Sequence, residues 1–87
     1  MSEKNVHPIW FVYIVECRDH TYYTGISYDI DHRLKMHNAG KGAAYTRGRR
    51  PVKLIYSEKF STYKKAAGRE FAIKKLTRKQ KEKLTKD

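Results

Sequence analysis

Seven consecutive residues, Ile9 to Val15 (IWFVYIV), are apolar or aromatic, and this run restricts the fold more than any other stretch of the chain. A continuous run of Trp, Phe, Tyr, Val and Ile reads as a strand covered on both faces, because a strand with one wet face would alternate. The chain then turns at Cys17-Arg18-Asp19-His20, and a second short run, Tyr22 to Ser27, follows with Gly25 inside it. The pair reads as an antiparallel hairpin carrying Tyr13 in one strand and Tyr23 in the other. Their offset of ten is even, so they share a face only if the connecting loop holds an odd number of residues. A two-residue turn at Asp19-His20 would put them on opposite faces. A common site therefore predicts a loop of three or five residues, or a bulge.

The 87 residues allow one domain, expected over 9–85 behind a loose leader at 1–8. Twenty Lys and Arg against nine Asp and Glu give a net charge of +11. Such a field attracts polyanions, nucleic acid first. An anionic membrane would require a basic amphipathic helix with a bulky apolar face, and the sequence contains no strong one. The single cysteine, Cys17, has no intramolecular disulfide partner and suits a small apolar filler at a strand end. With no signal peptide and no apolar run near ~18 residues, the expectation is a soluble, cytoplasmic protein without membrane contact.

Beyond the hairpin, Ser27 or Asp29 suits the cap of a helix running to about Asn38, stopped there or at Gly40. Ile30, Arg33, Leu34 and His37 fall on one arc of that helix, so Arg33 and His37 either snorkel or point together into a cleft beside the hairpin. Residues 39–51, AGKGAAYTRGRRP, read as a glycine-interrupted basic loop. Its Lys41, Arg47, Arg49 and Arg50 would meet phosphates, and Tyr45 would stack on an unpaired base. Val52 to Phe60 reads as an edge strand with Val52, Leu54, Tyr56 and Phe60 on one face. Ser61 would cap a helix from about Thr62 to Leu76 with Ala66, Ala67, Phe71 and Ile73 on its apolar side. Glu70 falls inside that arc, where a carboxylate needs a cation: a lysine, Arg69, or a divalent metal. Thr77-Arg78-Lys79-Gln80 is a capping box opening a last, charged helix with Leu84 as its apolar anchor. His20 and His32 read as surface residues.

The tripeptides Val12-Tyr13-Ile14 and Tyr23-Thr24-Gly25, their tyrosines Tyr13 and Tyr23 ten residues apart, resemble the paired motifs of the GIY-YIG nuclease superfamily. Arg33 and His37 match that family's arginine on the first helix and the Tyr or His one turn later. Glu70 matches its glutamate on the helix after the third strand. The segment Gly40-Lys41-Gly42 with Tyr45-Thr46 and Arg49-Arg50-Pro51 is similar to one in the small stand-alone members. Two positions depart: Val12 stands where the family has glycine, and Ile26 and Ser27 follow the second tripeptide where some members have a lysine.

The resemblance implies an α+β fold, a three-stranded antiparallel sheet with the first strand central and helices flanking it. It also implies a metal-dependent endonuclease, active in DNA processing or repair, that hydrolyses phosphodiester bonds by a single-metal mechanism. The catalytic set would be Tyr13, Tyr23, Arg33, His37 and Glu70. Glu70 would hold Mg²⁺ or Mn²⁺, Arg33 would bind the phosphate, and Tyr13 would act as general base, eased by the metal and Arg33. His37 would position water or shuttle a proton, and Tyr23 would orient the phosphate. The partner is then nucleic acid, DNA before RNA, with specificity drawn from substrate shape or a protein partner. The competing reading is a basic DNA- or RNA-binding module that keeps the fold without catalysis.

Overall fold

The structure, a computed structural model, describes residues 9–86; the expected leader at 1–8 lies outside the described residues. Its element order is β1 (Trp10–Glu16), β2 (Tyr22–Ser27), α1 (Ile30–Asn38), α2 (Ala44–Arg47), β3 (Lys53–Phe60), α3 (Tyr63–Lys74) and α4 (Arg78–Lys86). The three strands form one antiparallel sheet in the order β2-β1-β3. β1 is therefore central, as its unbroken apolar run requires, and both of its faces are covered. Val12 and Ile14 pack on one side with Ala66 and Ile73 of α3, joined by Tyr56, Phe60, Leu76 and Leu84. Tyr13, Val15 and Cys17 pack on the other with Val52, Tyr23 and the α1 residues Ile30 and Leu34. The molecule is thus a sheet between α1 and the α3–α4 pair.

The β1–β2 loop holds five residues, Cys17 to Thr21, with Glu16 opposite Tyr22. That odd number carries the parity argument: Tyr23 lies opposite Val15, on the same face as Tyr13. Inside the loop Asp19 accepts from the Thr21 hydroxyl at 2.6 Å and the Thr21 N–H at 3.2 Å, and His20 takes the left-handed conformation at φ 68°. Cys17 is buried and unpaired. Among the described residues no helix is long and apolar enough to cross a membrane.

Three details differ from the sequence-based expectation. β3 does not present Val52, Leu54, Tyr56 and Phe60 on one face. Ile14 pairs with Tyr56 but Val15 pairs with Leu54, so Ile55 is an extra residue, a β-bulge. The bulge flips the strand's alternation. Val52 joins the Tyr13 side, Tyr56 and Phe60 join the Val12 side, and Leu54 is left exposed. Phe71 is not on the buried side of α3 but 63% exposed, beneath the Lys75 ammonium at 4.1 Å. At about 100° per residue Ile73 falls nearly over Ala66, whereas Phe71 is turned by about 140° from it. Finally, Thr62 rather than Ser61 caps α3: its side chain accepts from the Lys65 N–H at 3.1 Å.

The other caps follow the sequence. Asp29 accepts from the His32 N–H at 3.1 Å at the start of α1, while Ser27 holds Asp29 in a turn at 2.9 Å. Gly40 ends the helix region at φ 79°. The box at α4 is reciprocal, Thr77 N–H to Gln80 Oε1 at 2.9 Å and Gln80 N–H to Thr77 Oγ1 at 3.2 Å. The Asn38 side chain acts as a surrogate peptide group, giving Nδ2–H to Val52 O at 3.2 Å and taking Val52 N–H at 2.7 Å. That pair fixes the end of α1 against the start of β3.

The α3 cap provides a direct check. Thr62→Ala should cost about 1 kcal/mol, roughly 4–8 °C in Tm for a domain this size, whereas Ser61→Ala should stay within about 0.5 kcal/mol. Thermal unfolding of the two variants followed by circular dichroism decides it. Equal losses would mean that the cap lies elsewhere.

Candidate functional site

Tyr13 stands directly opposite Gly25. A Cβ added at Gly25 would lie 2.5 Å from the Tyr13 hydroxyl and 2.7 Å from its ring carbon, so the phenol lies across the glycine toward the open edge of β2. That close approach is the physical reason for glycine in the second tripeptide. Val12, at the departing position of the first, is fully buried in the opposite core and only packs.

The Tyr13 hydroxyl meets His37 Nε2 at 2.8 Å, and His37 Nδ1 meets Thr46 Oγ1 at 2.8 Å. All three side chains are buried, with His37 and Thr46 at 0% exposure. The Thr46 hydroxyl donates its one proton to Ala43 O at 3.1 Å, so it accepts from His37 Nδ1–H. This fixes the imidazole tautomer and leaves the Nε2 lone pair to accept the Tyr13 O–H. Burial, then the Arg33 charge, hold His37 below the ordinary imidazole value of 6.5. The ring is therefore neutral near pH 7. Gly42 is a second required glycine, because a Cβ there would collide with His37 Nδ1 and lie 2.8 Å from Cγ. Thr46 and Gly42 were not among the residues singled out from the sequence as members of the site.

Arg33, half-buried on α1, acts on the Tyr13 hydroxyl through a hydrogen bond and its charge. Burial nonetheless dominates and pushes the phenol above its ordinary value of 10.0, with Tyr23 and Glu70 raising it further. Tyr13 is thus a phenol at neutral pH, its burial outweighing the nearby Arg33 charge. The Arg33 Nε is buried with no hydrogen-bond partner, as is Thr24 Oγ1. A guanidinium N–H left unpaired is costly unless a ligand oxygen meets it.

Glu70 is half-buried on α3. Its Oε2 is 3.2 Å from the Lys74 ammonium, the lysine partner that its position calls for, while Arg69 pairs with Glu58 at 2.9 Å. Glu70 acts electrostatically on Tyr13, so α3 and α1 bring their charges to one hydroxyl from opposite sides of the sheet. No group of three or more His, Cys, Asp or Glu is placed to hold a metal among the described residues. The donor set suits a hard cation held by Glu70 and otherwise by water, as Mg²⁺ tolerates. Tyr23 packs its ring on the edge of His37 at 5.3 Å and stacks on Tyr45 at 6.0 Å and 24°. The sequence-predicted set Tyr13, Tyr23, Arg33, His37 and Glu70 is thus assembled around the Tyr13 hydroxyl. His32 and His20 are exposed, with His20 on Glu16 at 3.0 Å.

The expected basic loop divides into committed and uncommitted residues. It contains the one-turn helix α2, which the sequence analysis read as loop. Tyr45 is already engaged, stacked on Tyr23 and lying 4.0 Å from the Arg49 guanidinium, yet it stays 39% exposed. Arg49 also bonds Asp19 at 3.0 Å and Tyr45 O at 2.7 Å, and Arg50 donates to Arg47 O at 2.8 Å and Asn38 O at 3.4 Å. Arg50 thereby fills the space beside Gly40, where a Cβ would lie 2.8 Å from its Nη1. Lys41 and Arg47 are exposed.

The UPF0213 protein YazA of Bacillus subtilis is 51% identical over 80 residues, spanning 92% of this chain and 78% of the relative. The UPF0213 protein VNG_2274C of Halobacterium salinarum is 53% identical over 73 residues, 84% of this chain and 95% of that one. The solution NMR structure of the protein EF2693 from E. faecalis superposes with a TM-score of 0.63 at 43% identity, covering 92% of this chain and 85% of that one. Residues 9–83 match the GIY-YIG catalytic domain, and the chain belongs to that family.

Proposed function

We propose that the protein is a metal-dependent endonuclease that hydrolyses nucleic-acid phosphodiester bonds at the Tyr13 hydroxyl. The observation that carries this reading is the unpartnered, buried Arg33 Nε beside that hydroxyl. A phosphate oxygen placed there relieves the orphan donor and brings the phosphorus within reach of Tyr13.

Glu70 would hold a Mg²⁺ or Mn²⁺ ion, whose chemistry is to neutralise charge on the phosphate and the leaving oxygen. The chain's own residues do the rest. The Arg33 guanidinium binds the phosphate and stabilises the charge gathering on its equatorial oxygens. A water attacks phosphorus while giving its proton to the Tyr13 oxygen, and the Tyr13 proton passes to the neutral His37 Nε2 at 2.8 Å. The phosphorus–oxygen ester bond breaks as the new one forms. A phenol kept protonated by burial can still serve as base, because its own proton has an acceptor. The depressed basicity of His37 returns that proton after turnover. Tyr23, whose hydroxyl makes no hydrogen bond among the described residues, orients the phosphate from the other strand.

The competing reading is pure binding, and Glu70 separates the two. Metal-dependent cleavage of a labelled panel (duplex, single-stranded and branched DNA, and RNA) should be lost by roughly 10³-fold or more in Glu70→Gln and Arg33→Ala, while binding by Glu70→Gln survives. Cleavage that persists in both variants, or cleavage of nothing by the wild type in Mg²⁺ and Mn²⁺, would sink the enzymatic reading.

The relay predicts a pH profile. His37 must be neutral to accept, so the rate should fall with acidity through a value below 6.5. Thr46→Val removes the acceptor that favours the imidazolium, so it should lower the plateau by about tenfold and move the acid limb to lower pH. Thr46→Ser should restore both. A change in plateau alone, with the limb fixed, would show that Thr46 only packs.

A further inference from the structure

Beside α2 lies a shallow depression of about 440 Å³ lined by Arg18, Asn38, Arg47, Gly48, Arg50 and Pro51. No carboxylate lines it. The segment that forms it is held closely, with the Arg18 N–H on Arg49 O at 2.8 Å and the Arg50 guanidinium on the carbonyls of Arg47 and Asn38. Three arginines therefore border one concavity, and only the Arg50 guanidinium is held, by charge-assisted bonds to backbone carbonyls. The nearby acid, Asp19, is taken by Arg49 at 3.0 Å. Arg50 is committed to those carbonyls, whereas the side chains of Arg18 and Arg47 are exposed and make no hydrogen bond or ion pair among the described residues. Like charges gathered without a counter-charge repel, and a polyanion that enters relieves the repulsion.

We infer that this depression is a second backbone-phosphate site, in which Arg18 and Arg47 grip the nucleic acid outside the position that is cut. The inference rests on the nucleic-acid reading above and extends it to a residue, Arg18, that the sequence did not single out for binding. It also re-sorts the loop. Arg49 and Arg50 build the surface, and Arg47 with Arg18 uses it. α2 joins the two sites within one turn, because Tyr45 reaches Tyr23, Thr46 reaches His37, and the next residue is Arg47. A strand lying across Tyr13 and Arg33 is thereby steered over α2 and onto the depression.

Phosphate contacts are counted by the salt dependence of binding, each contributing about 0.9 to the slope of log K against log salt on a duplex. Binding of a labelled DNA duplex would be titrated in EDTA across a salt series with the wild-type chain, Arg18→Ala/Arg47→Ala and Lys79→Ala/Lys83→Ala. The control removes the same charge from exposed positions on α4. The inference expects the arginine pair to flatten the slope by about 2 and the lysine pair to leave it nearly unchanged. In the Mg²⁺ cleavage assay the arginine pair should raise KM with kcat retained. Circular dichroism should show unchanged Tm for that pair and a lowered Tm for Arg50→Ala. An unchanged slope in the arginine pair overturns the site, even if Glu70-dependent cutting is intact. Equal flattening in both pairs also overturns it, since binding then follows net charge. A flattened slope without cutting on any substrate leaves this site standing and removes the nuclease reading instead.

Discussion

A single buried hydrogen bond, from the Tyr13 hydroxyl to His37 Nε2 at 2.8 Å, organises the rest of the molecule. An imidazole at 0% exposure is tolerable only with both nitrogens satisfied, so Thr46 must stand behind it, and Ala43 O behind Thr46. Each link places a backbone demand on a different element. Gly25 in β2 clears the path of the phenol, and Gly42 before α2 clears the imidazole. The Asn38–Val52 pair then keeps the end of α1, where His37 sits, at a fixed distance from the sheet. Two of the chain's five glycines are thus set by side-chain contact at this one site rather than by turn geometry.

The same burial sets the protonation state of Tyr13. Proximity to a cation argues for an easily lost proton, but desolvation is the larger effect on this phenol and Arg33 only partly offsets it. Neither Tyr13 nor His37 carries charge near neutral pH. The buried side of the site is therefore a pair of neutral groups sharing a proton, and the charges of Arg33 and Glu70 stand where phosphate and cation would enter. That division is economical in a domain with a thin core. An ionised phenolate beside a protonated imidazole would impose two desolvation costs on every folded molecule.

Most of this frame was legible in the chain itself. The seven-residue apolar run specified a central strand covered on both faces, and the even spacing of the tyrosines specified an odd loop. Helical period put Arg33 and His37 on one arc and Glu70 inside an apolar one, and the family resemblance is what implied a common site for them. Three things could not be read, each for a physical reason. The bulge at Ile55 turns on which residue of β3 skips a partner, and no local propensity marks it, so the faces of Val52 and Tyr56 came out alike. The exposure of Phe71 depends on where α3 meets the sheet, which the wheel of α3 alone leaves open. Thr46 and Gly42 owe their roles to a histidine several residues earlier in the chain. Threonine and glycine in a basic segment read more naturally as solvated loop, and Thr46 at 0% exposure corrects that.

The one-turn helix α2 shows how so small a chain fits a chemical site and a binding surface on one segment. Successive residues on a helix point about 100° apart, so three of them address three directions from one short scaffold. Tyr45 stacks against Tyr23, Thr46 enters the core to hold His37, and Arg47 lines the basic depression. A longer loop could present the same side chains, but with independent freedom. In α2 any rotation that moved Arg47 toward a phosphate would also move Thr46 away from His37. The Thr46–His37 contact thereby restrains Arg47, because the two neighbours cannot be reoriented separately.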